Sequence, residues 1–289
     1  MRKCVKLKSK GGGGLSNFDY SFFAENTFYK HERTLLPDPL AYTEHTHSMY
    51  EILYFVSGDA TFMTEGRRYK LMRGDLVLVR PMRYHILKID KPIEYERYDI
   101  LFNNQVTGFD ISEIIPDGID VINLSANPMA EGIFKRLDYY KENLSDDRFA
   151  CVLAAMMREL FLNLSIAPEK LARSDYQASS ALICRALEII NERIFSIKSV
   201  SEVARELFVS EGYLFEKFKK EMGSTPKKYI NSKRLLAARS LICQGEMPTE
   251  IYEKCGFRDY TSFYRGYVKY FGCAPSHENK TSKKGEYLE

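Results

Sequence analysis

The sequence of 289 residues contains no Cys-x-x-Cys pair, and its six cysteines are spread along the chain. This distribution argues against a disulfide framework and against a structural zinc site, and it favours a reducing compartment. A long apolar run is also lacking, since the most apolar stretch, 151–167, is interrupted by Arg158 and Glu159 and is too short to span a bilayer. The basic N-terminus leads into polar residues and glycine rather than the apolar core of a signal peptide. We therefore expect a cytoplasmic protein without a membrane segment.

Charge of one sign does not dominate the chain, whose formal net charge is +3, but the charge is unevenly placed. Residues 180–289 hold 19 Lys and Arg against 14 Asp and Glu, a balance of +5, and residues 1–179 hold 23 against 25, a balance of −2. A basic C-terminal part joined to a slightly acidic N-terminal part is typical of a nucleic-acid-binding module attached to another domain. A solvated basic surface has the same composition, so charge alone does not decide between the two.

Local composition divides the chain into segments. From about 40 to 103, short β-branched and aromatic runs alternate with glycine turns, which indicates an antiparallel sandwich or barrel. The period then becomes helical. The predicted segments are a flexible, basic and glycine-rich lead-in (1–16), a domain of strands and flanking helices (17–167), a polar linker (168–180), an all-helical domain (181–276) and a polar tail (277–289).

The helical part of the N-terminal domain carries an apolar stripe. Asn127 and Pro128 are expected to be the N-cap and first residue of a helix. In the helix that follows, the stripe consists of Leu153, Met157, Leu160, Phe161 and Leu164. It can pack on the barrel of its own chain or form a dimer interface, and the second interpretation predicts a homodimer.

Two similar patterns lie near the end of the chain, at 200–220 and 250–265. Each consists of a short helix, a tight turn and a second helix that ends in basic residues, the geometry that places a helix in the major groove of DNA. Between them, the sequence predicts a helix from Pro226 to about Cys243, a rod roughly 26 Å long. Such a rod holds two recognition helices about one DNA turn (~34 Å) apart, so that one chain can contact two successive major grooves.

Helical spacing separates the two faces of each recognition helix. Leu214, Phe218 and Met222 recur at steps of four and are predicted to face the core. The predicted DNA-contacting residues are Ser210, Glu211, Gly212, Phe215, Glu216 and Lys219 in the first unit and Tyr260, Thr261, Tyr264 and Arg265 in the second.

Two of these residues have the chemistry for distinct roles. Glu216 is expected to accept a hydrogen bond from cytosine N4, and Arg265 is expected to bind guanine or a phosphate. For Arg265 the alternative is an ion pair inside the domain with Asp259 or Glu253.

Residues 197–275 resemble the DNA-binding domain of the AraC/XylS family of bacterial transcription regulators. The chain from Ser210 to Pro226 follows the family pattern S-x-x-Y-L-x-x-x-F-K-K-x-x-G-x-x-P, and Gly256 to Arg265 follows G-F-x-D-x-x-x-F-x-R. The resemblance implies two helix-turn-helix units on a bridging helix and action at promoters, usually as a dimer and usually as an activator. The sequence departs from the family at Tyr252, where a small residue is usual, and after Pro275, where an aromatic–arginine pair is missing.

A second motif lies in the N-terminal domain. The segment from His45 to Glu51, followed by Gly58, matches the first motif of cupins, H-x-H-x(3)-E-x(6)-G. Strand alternation puts His45 and His47 on one face, and His85 from a later strand would add a third imidazole. With the carboxylate of Glu51, these groups suit Fe(II), Mn(II), Ni(II) or Zn(II). The predicted pocket for a small effector contains His45, His47, Glu51, Tyr54 and His85.

The resemblance bears on this cluster too, because AraC-type regulators often carry such residues without a metal, as polar lining of the sensor. We therefore expect no required cofactor, with a divalent transition metal bound by His45, His47, Glu51 and His85 as the open alternative. The fold class that follows is α+β with two domains. A cupin-like antiparallel β-barrel with flanking helices serves as sensor and dimerisation domain, and an all-α domain holds two helix-turn-helix units joined by a linker helix.

The function expected from these features is that of a sequence-specific, effector-responsive transcription activator without enzymatic activity. Its expected partners are double-stranded DNA, a small molecule with sugars among the candidates, RNA polymerase and a second copy of the chain. The alternative is a metal-dependent cupin enzyme with a helical appendage. The stretch from Gly74 and Asp75 to Pro81 and His85 looks like the second cupin motif, but Arg83 stands where that motif usually has glycine, which weakens this alternative. A helical adaptor that never contacts DNA fails to explain two matched helix-turn-helix patterns.

Overall fold

A computed structural model describes residues 18–24, 27–38, 46–166 and 168–277. The expected lead-in at 1–16 and nearly all of the expected tail at 277–289 lie outside these ranges, as does His45. Within them the chain has an N-terminal half built on a sheet and a C-terminal half built of helices. The expected α+β organisation is therefore confirmed.

The N-terminal half contains one antiparallel sheet of eight strands. The strands are β1 (Phe18–Ala24), β2 (Thr27–Thr34), β3 (Tyr50–Thr64), β4 (Arg67–Lys70), β5 (Asp75–Val79), β6 (His85–Phe102), β7 (Val121–Asn123) and β8 (Gln177–Ala178). Their order is β1-β2-β6-β3-β4-β8, and β5 joins β3 to β7. Bulges between Phe55 and Ala60 interrupt β3, whose first part pairs with β5 and whose last part pairs with β4. Among the described strands no pairing joins the ends of this sheet, and the expected closed barrel is not confirmed.

Alternation along the strands gives the sheet two apolar faces. On β3, Leu53 and Phe55 pack in one core with residues of β4, β5 and β6, whereas Ile52 and Tyr54 pack in another core against the helices. The helices of this half are α1 (Asn104–Thr107), α2 (Ile111–Ile114), α3 (Pro128–Asn143), α4 (Asp146–Leu164) and α5 (Pro168–Leu171). As expected, α3 begins with Asn127 as N-cap, whose side chain accepts a hydrogen bond from Ala130 N, and with Pro128 in the first turn.

The apolar stripe of α4 is part of the chain's own core. Leu153, Met157, Leu160, Phe161 and Leu164 are each at most 1% exposed and pack with the sheet. Packing on its own domain is the correct alternative for these five residues, and the interpretation of this stripe as a dimer interface is wrong. The physical reason is that these five residues pack in one core with α3 and with residues of several strands, among them Phe22, Ile52 and Leu76.

The polar segment at 168–180 lies against the sheet. Its strand β8 pairs with β4 through Arg67 and Ala178. The Arg173 guanidinium forms an ion pair with the fully buried Asp75 and donates a hydrogen bond to the carbonyl of Lys70 at 2.9 Å. Since a buried carboxylate requires a counter-charge, this polar residue has a structural role beyond that of a linker.

The C-terminal half is helical, as expected. Its helices are α6 (Ala181–Glu192), α7 (Val200–Glu206), α8 (Glu211–Met222), α9 (Pro226–Cys243), α10 (Pro248–Ile251) and α11 (Tyr260–Phe271). We call α7 with α8 the first unit and α10 with α11 the second unit. The helix α9 contributes Tyr229 and Ile230 to the core of the first unit and Leu235 and Ile242 to the core of the second, and so bridges the two. Within the described part of the chain, every helix is too short or too polar to cross a membrane.

Candidate DNA-contacting helices and a buried histidine–glutamate cluster

The α8 helix has the two faces expected from its spacing. Leu214, Phe218 and Met222 are buried. The residues expected to face outward, Glu211, Gly212, Phe215, Glu216 and Lys219, are exposed. Ser210 is the N-cap, and its hydroxyl accepts a hydrogen bond from Tyr213 N at 3.2 Å, so it has a local structural role at the start of this face.

The α11 helix repeats the arrangement. Asp259 is its N-cap, and Phe263 and Tyr267 are buried. Thr261, Tyr264 and Arg265 are exposed. Tyr260 is half-buried, because its ring contacts those of Tyr252 and Phe263 with centroids 5.8 Å apart in each case.

The carboxylates considered as internal partners for Arg265 have other contacts. Asp259 accepts hydrogen bonds from Ser262 N at 2.7 Å and from Ser262 Oγ at 2.9 Å. Glu253 accepts one from the Tyr252 hydroxyl at 2.9 Å. Both carboxylates thus have partners other than Arg265, whose side chain is exposed. They also show how the unusual Tyr252 is accommodated, half-buried with its hydroxyl at the surface of the second unit.

In the N-terminal half, His47, Glu51 and His85 come together, and we call them the His–Glu cluster. Glu51 lies near the start of β3, His85 begins β6, and His47 precedes β3. Glu51 Oε2 lies 2.8 Å from His47 Nε2 and 3.1 Å from His85 Nε2. Glu51 and His85 are buried, and the cluster lies on the sheet face opposite α3 and α4. The expected meeting of these three residues is thus present, while His45 is outside the described residues.

In both imidazoles, the hydrogen bond made by Nδ1 shows that this nitrogen carries a hydrogen. His47 Nδ1 lies 2.9 Å from the Met49 carbonyl, and His85 Nδ1 lies 3.0 Å from the Arg83 carbonyl. A carbonyl only accepts, so each Nδ1 carries the hydrogen. In a neutral ring, Nε2 then presents a lone pair toward the carboxylate of Glu51. Three electron-pair donors therefore converge, and either protons on the rings or a cation must lie between them.

The charge of Glu51 depends on these neighbours. Burial alone would raise the pKa of Glu51, but the charge of His85 and hydrogen bonds from both imidazoles hold that pKa well below its ordinary value. The neighbouring Asp99 behaves in the opposite way, since burial and the nearby Glu51 raise its pKa well above the ordinary range. Asp99 is a polar group of this interior that the motifs do not indicate. The inward alternation of 97, 99 and 101 along β6 is the signal that would have found it.

Tyr54 does not join the cluster. It is three residues after Glu51 on β3 and so points to the opposite face of the sheet. There its ring stacks on Phe134 with centroids 4.2 Å apart, and its hydroxyl donates to Glu131 at 3.2 Å. Its grouping with the histidines in one effector pocket is therefore wrong.

Comparisons with known proteins match both halves of this chain. Residues 38–107 match the AraC-like ligand binding domain, and residues 203–281 match a helix-turn-helix domain. The HTH-type transcriptional activator RhaS of Citrobacter koseri is 25% identical over 250 residues, which cover 81% of this chain and 86% of that protein. The probable transcriptional regulator LumQ of Photobacterium leiognathi is 32% identical over 79 residues, or 27% of this chain, and the match spans about a third (32%) of LumQ. The crystal structure of ToxT from Vibrio cholerae O395 aligns over 91% of this chain and 100% of that one, at 14% identity and a TM-score of 0.36.

The two domain matches place a ligand-binding domain before a helix-turn-helix domain in this chain. The chain belongs to the AraC family of transcriptional regulators.

Proposed function

We propose that the chain binds promoter DNA through the outward faces of α8 and α11 and activates transcription in response to a small molecule held by its N-terminal domain. The observation that carries the proposal is that both helices are amphipathic in the same way. Each buries an apolar face in its own unit and leaves polar and basic residues exposed opposite it. Lys219 and Lys269 in the last turns add positive charge that favours nearby phosphates. RNA polymerase is the partner through which such an activator acts.

Selection of duplexes from a random pool by the purified chain tests DNA binding. We expect enrichment of two short sequence boxes about one helical turn apart. The matched control is a chain carrying Lys219→Glu and Arg265→Glu, two exposed substitutions, which should keep the circular dichroism spectrum and lose the enrichment. If the unaltered chain enriches nothing, specific DNA binding is not its function.

For the sensor we propose that the His–Glu cluster is the polar recognition group, and that a divalent transition metal is the ligand to test first. Its donor set, two imidazole nitrogens and one carboxylate oxygen, suits Zn(II), Ni(II), Fe(II) or Mn(II). Support comes from the ligand atoms of His47, Glu51 and His85, which lie within 4.8 Å of one another. The carbonyl partners of both Nδ1 atoms hold the rings in the orientation that a metal ligand needs. A sugar is the second candidate, since carboxylates and imidazoles also hydrogen-bond to hydroxyls.

Elemental analysis of protein purified without chelator, followed by titration with zinc or nickel and with sugars, separates these ligands. A metal ligand should appear at about one equivalent per chain and should be lost in His85→Ala. Thr61→Ala on the same strand as Glu51 is the control. Metal-free protein whose thermal stability is unchanged by added metal would assign the cluster to internal hydrogen bonding. We propose no enzymatic role, and turnover of an organic substrate by metal-loaded protein would contradict that.

We propose that the chain forms a homodimer through the outer face of α4. Cys151, Ala155 and Leu162 share this face because they are four and seven residues apart, and all three are exposed. Leu162 is 56% exposed, and Ile166, just beyond the helix, is 81% exposed. Sedimentation of the unaltered chain should show a dimer, and Leu162→Glu should shift it toward monomer. Met129→Glu, at an exposed apolar residue of α3, is the control and should leave the dimer intact.

A further inference from the structure

The turn between β3 and β4 is inserted into the helical half of the chain. Glu65 and Gly66 form this turn, and both have positive φ, 40° and 84°. Positive φ at both central residues is the two-residue hairpin geometry in which Asn-Gly or Asp-Gly is usual, so a glutamate at the first position carries backbone strain. The strain indicates that the Glu65 side chain is needed at this place.

The carboxylate of Glu65 is bonded to helices of the other half. Its Oε1 pairs with Lys233 Nζ at 2.9 Å, and its Oε2 accepts from the Tyr229 hydroxyl at 2.6 Å. Asn191 Nδ2 also donates to Oε2, at 3.3 Å. Tyr229 and Lys233 lie on α9, and Asn191 lies on α6. One sensor side chain thus connects two helices, α6 and α9, that contribute to the core of the first unit.

The ion pair is enclosed. The side chains of Glu65 and Lys233 are only 10% and 13% exposed. Burial would raise the pKa of Glu65, but Lys233 and the Tyr229 hydroxyl hold it below its ordinary value. Lys233 Nζ also donates to Asn191 Oδ1 at 2.8 Å and lies 4.9 Å from the centre of the Tyr229 ring. A pair buried in this way is costly to break on one side only, because the remaining charge has no counter-ion.

Apolar and backbone contacts surround the pair. Tyr84, which donates its amide to Glu65 Oε1 at 3.0 Å, belongs to the apolar core of the first unit, with its ring 5.2 Å from that of Tyr229. Gly66 lies so close to Leu187 that a Cβ there would be 3.1 Å from that side chain. On β4, Arg68 Nη2 donates to the carbonyl of Glu221 at 2.7 Å, in the last turn of the recognition helix α8. A cation at this end of a helix is favourable, because the last carbonyls carry partial negative charge.

We propose that the Glu65–Gly66 turn is a docking plug. It fixes the DNA-binding half on the sensor and, through Arg68, anchors the C-terminal end of α8. The reading face of α8 stays exposed in this docked arrangement. The plug therefore positions the first recognition helix without covering it, and its withdrawal loosens that helix end and the strand β8 together. This inference goes beyond DNA binding and is independent of what the His–Glu cluster holds.

Hydrogen exchange of the full-length chain, measured by mass spectrometry, tests the plug. The reporters are the amide of Ser179, which bonds to the Gly66 carbonyl, and that of Gly223, which bonds to the Lys219 carbonyl at the end of α8. We expect Glu65→Gln and Lys233→Met each to speed exchange at both reporters at least about tenfold. The double variant should be closer to the unaltered chain than either single variant, because no unpaired charge remains.

A variant in the helical half and a matched control distinguish loss of docking from misfolding. Lys233→Met lies in the helical half, so faster exchange of sensor amides in that variant cannot come from misfolding of the sensor. Glu188→Gln, which removes an exposed carboxylate of α6 that pairs with Arg185, is the matched control and should change neither reporter. The proposal is overturned if Glu65→Gln behaves like this control, or if Lys233→Met leaves the Ser179 amide unchanged.

Discussion

The guanidinium of Arg234 donates a hydrogen bond to the carbonyl of Gly256 at 2.7 Å and so ties the bridging helix α9 to the second unit. The same side chain donates to the carbonyls of Ile194 at 2.7 Å and Ile197 at 2.6 Å, which precede the first unit. Arg234 is only 8% exposed, and its bond to the Ile197 carbonyl is buried. One side chain in the middle of α9 therefore holds both units in a fixed relation.

We expect Arg234→Met to lower the free energy of unfolding by about 3 kcal/mol, because one buried and two partly buried carbonyls lose their donor. Chemical denaturation followed by circular dichroism measures the change. Arg205→Met, at an exposed arginine of α7, is the control and should change stability by less than about 0.5 kcal/mol. Equal effects of the two substitutions would show that Arg234 does not join the units.

The turn of the first unit carries a strained residue. Phe208 has a φ of 56° and is 96% exposed, so its ring is hardly buried while its Cβ opposes the backbone conformation. We expect Phe208→Gly to stabilise the fold by about 1 kcal/mol, the relief of strain exceeding the entropy that glycine adds to the unfolded chain. Phe208→Ala removes the ring but keeps Cβ and should bring no gain. A stabilisation by alanine as large as that by glycine would assign the effect to the exposed ring.

His31 should make the stability of the N-terminal half depend on pH. Its Nδ1 lies 2.8 Å from Asp138 Oδ1 and its Nε2 lies 3.1 Å from Glu96 Oε1, and its ring stacks on Tyr98. Burial lowers the pKa of His31, but the hydrogen bonds and charges of the two carboxylates outweigh it, so the pKa is raised above 6.5.

A histidine whose pKa is raised on folding contributes stability that is complete below the unfolded value of 6.5 and is lost as the pH rises through the folded value. We therefore expect the difference in unfolding free energy between the unaltered chain and His31→Gln to shrink as the pH rises from about 6 to about 8. A difference in unfolding free energy that stays constant across this range would mean that folding does not raise the pKa of His31.

Substitutions in the two recognition helices should distinguish a base contact from a phosphate contact. Glu216→Ala is expected to relax sequence preference at one position, by about 1–3 kcal/mol, because only a base edge distinguishes sequences there. Arg265→Ala is expected to weaken binding to all duplexes alike and to flatten the salt dependence by about one unit, as the loss of a phosphate contact does. Binding isotherms on selected and scrambled duplexes at two salt concentrations distinguish the two. If neither substitution changes binding, the outward faces do not contact DNA.

Features that depend on residues close together in the sequence could be predicted from it. The start of α3 at Asn127 and Pro128, and the inward face of α8, follow from capping chemistry and helical period. The contact among His47, Glu51 and His85 could also be predicted, because the cupin motif contains residues that lie together in the folded domain. The error at Tyr54 was avoidable, since its odd spacing from Glu51 puts it on the other face of β3.

Features that depend on distant partners could not be predicted. The counter-charge of Arg173 is Asp75, which lies 98 residues away, so the segment looked like an ordinary polar linker. The bond between Glu65 and Tyr229 spans 164 residues, and nothing near Glu65 in the sequence indicates it. The packing of the α4 stripe on residues of several strands is likewise a property of the assembled sheet, and it makes the stripe part of the core rather than an interface.

The spacing of the two DNA boxes tests most directly whether one chain reads DNA with both units. The measurement is the affinity of the purified chain for the selected duplex and for one with about 5 base pairs, half a helical turn, inserted between the boxes. Because α9 and Arg234 fix the two units, we expect the insertion to weaken binding at least about tenfold, a loss of about 1.4 kcal/mol. Equal affinity for the two duplexes would contradict a rigid two-unit reader.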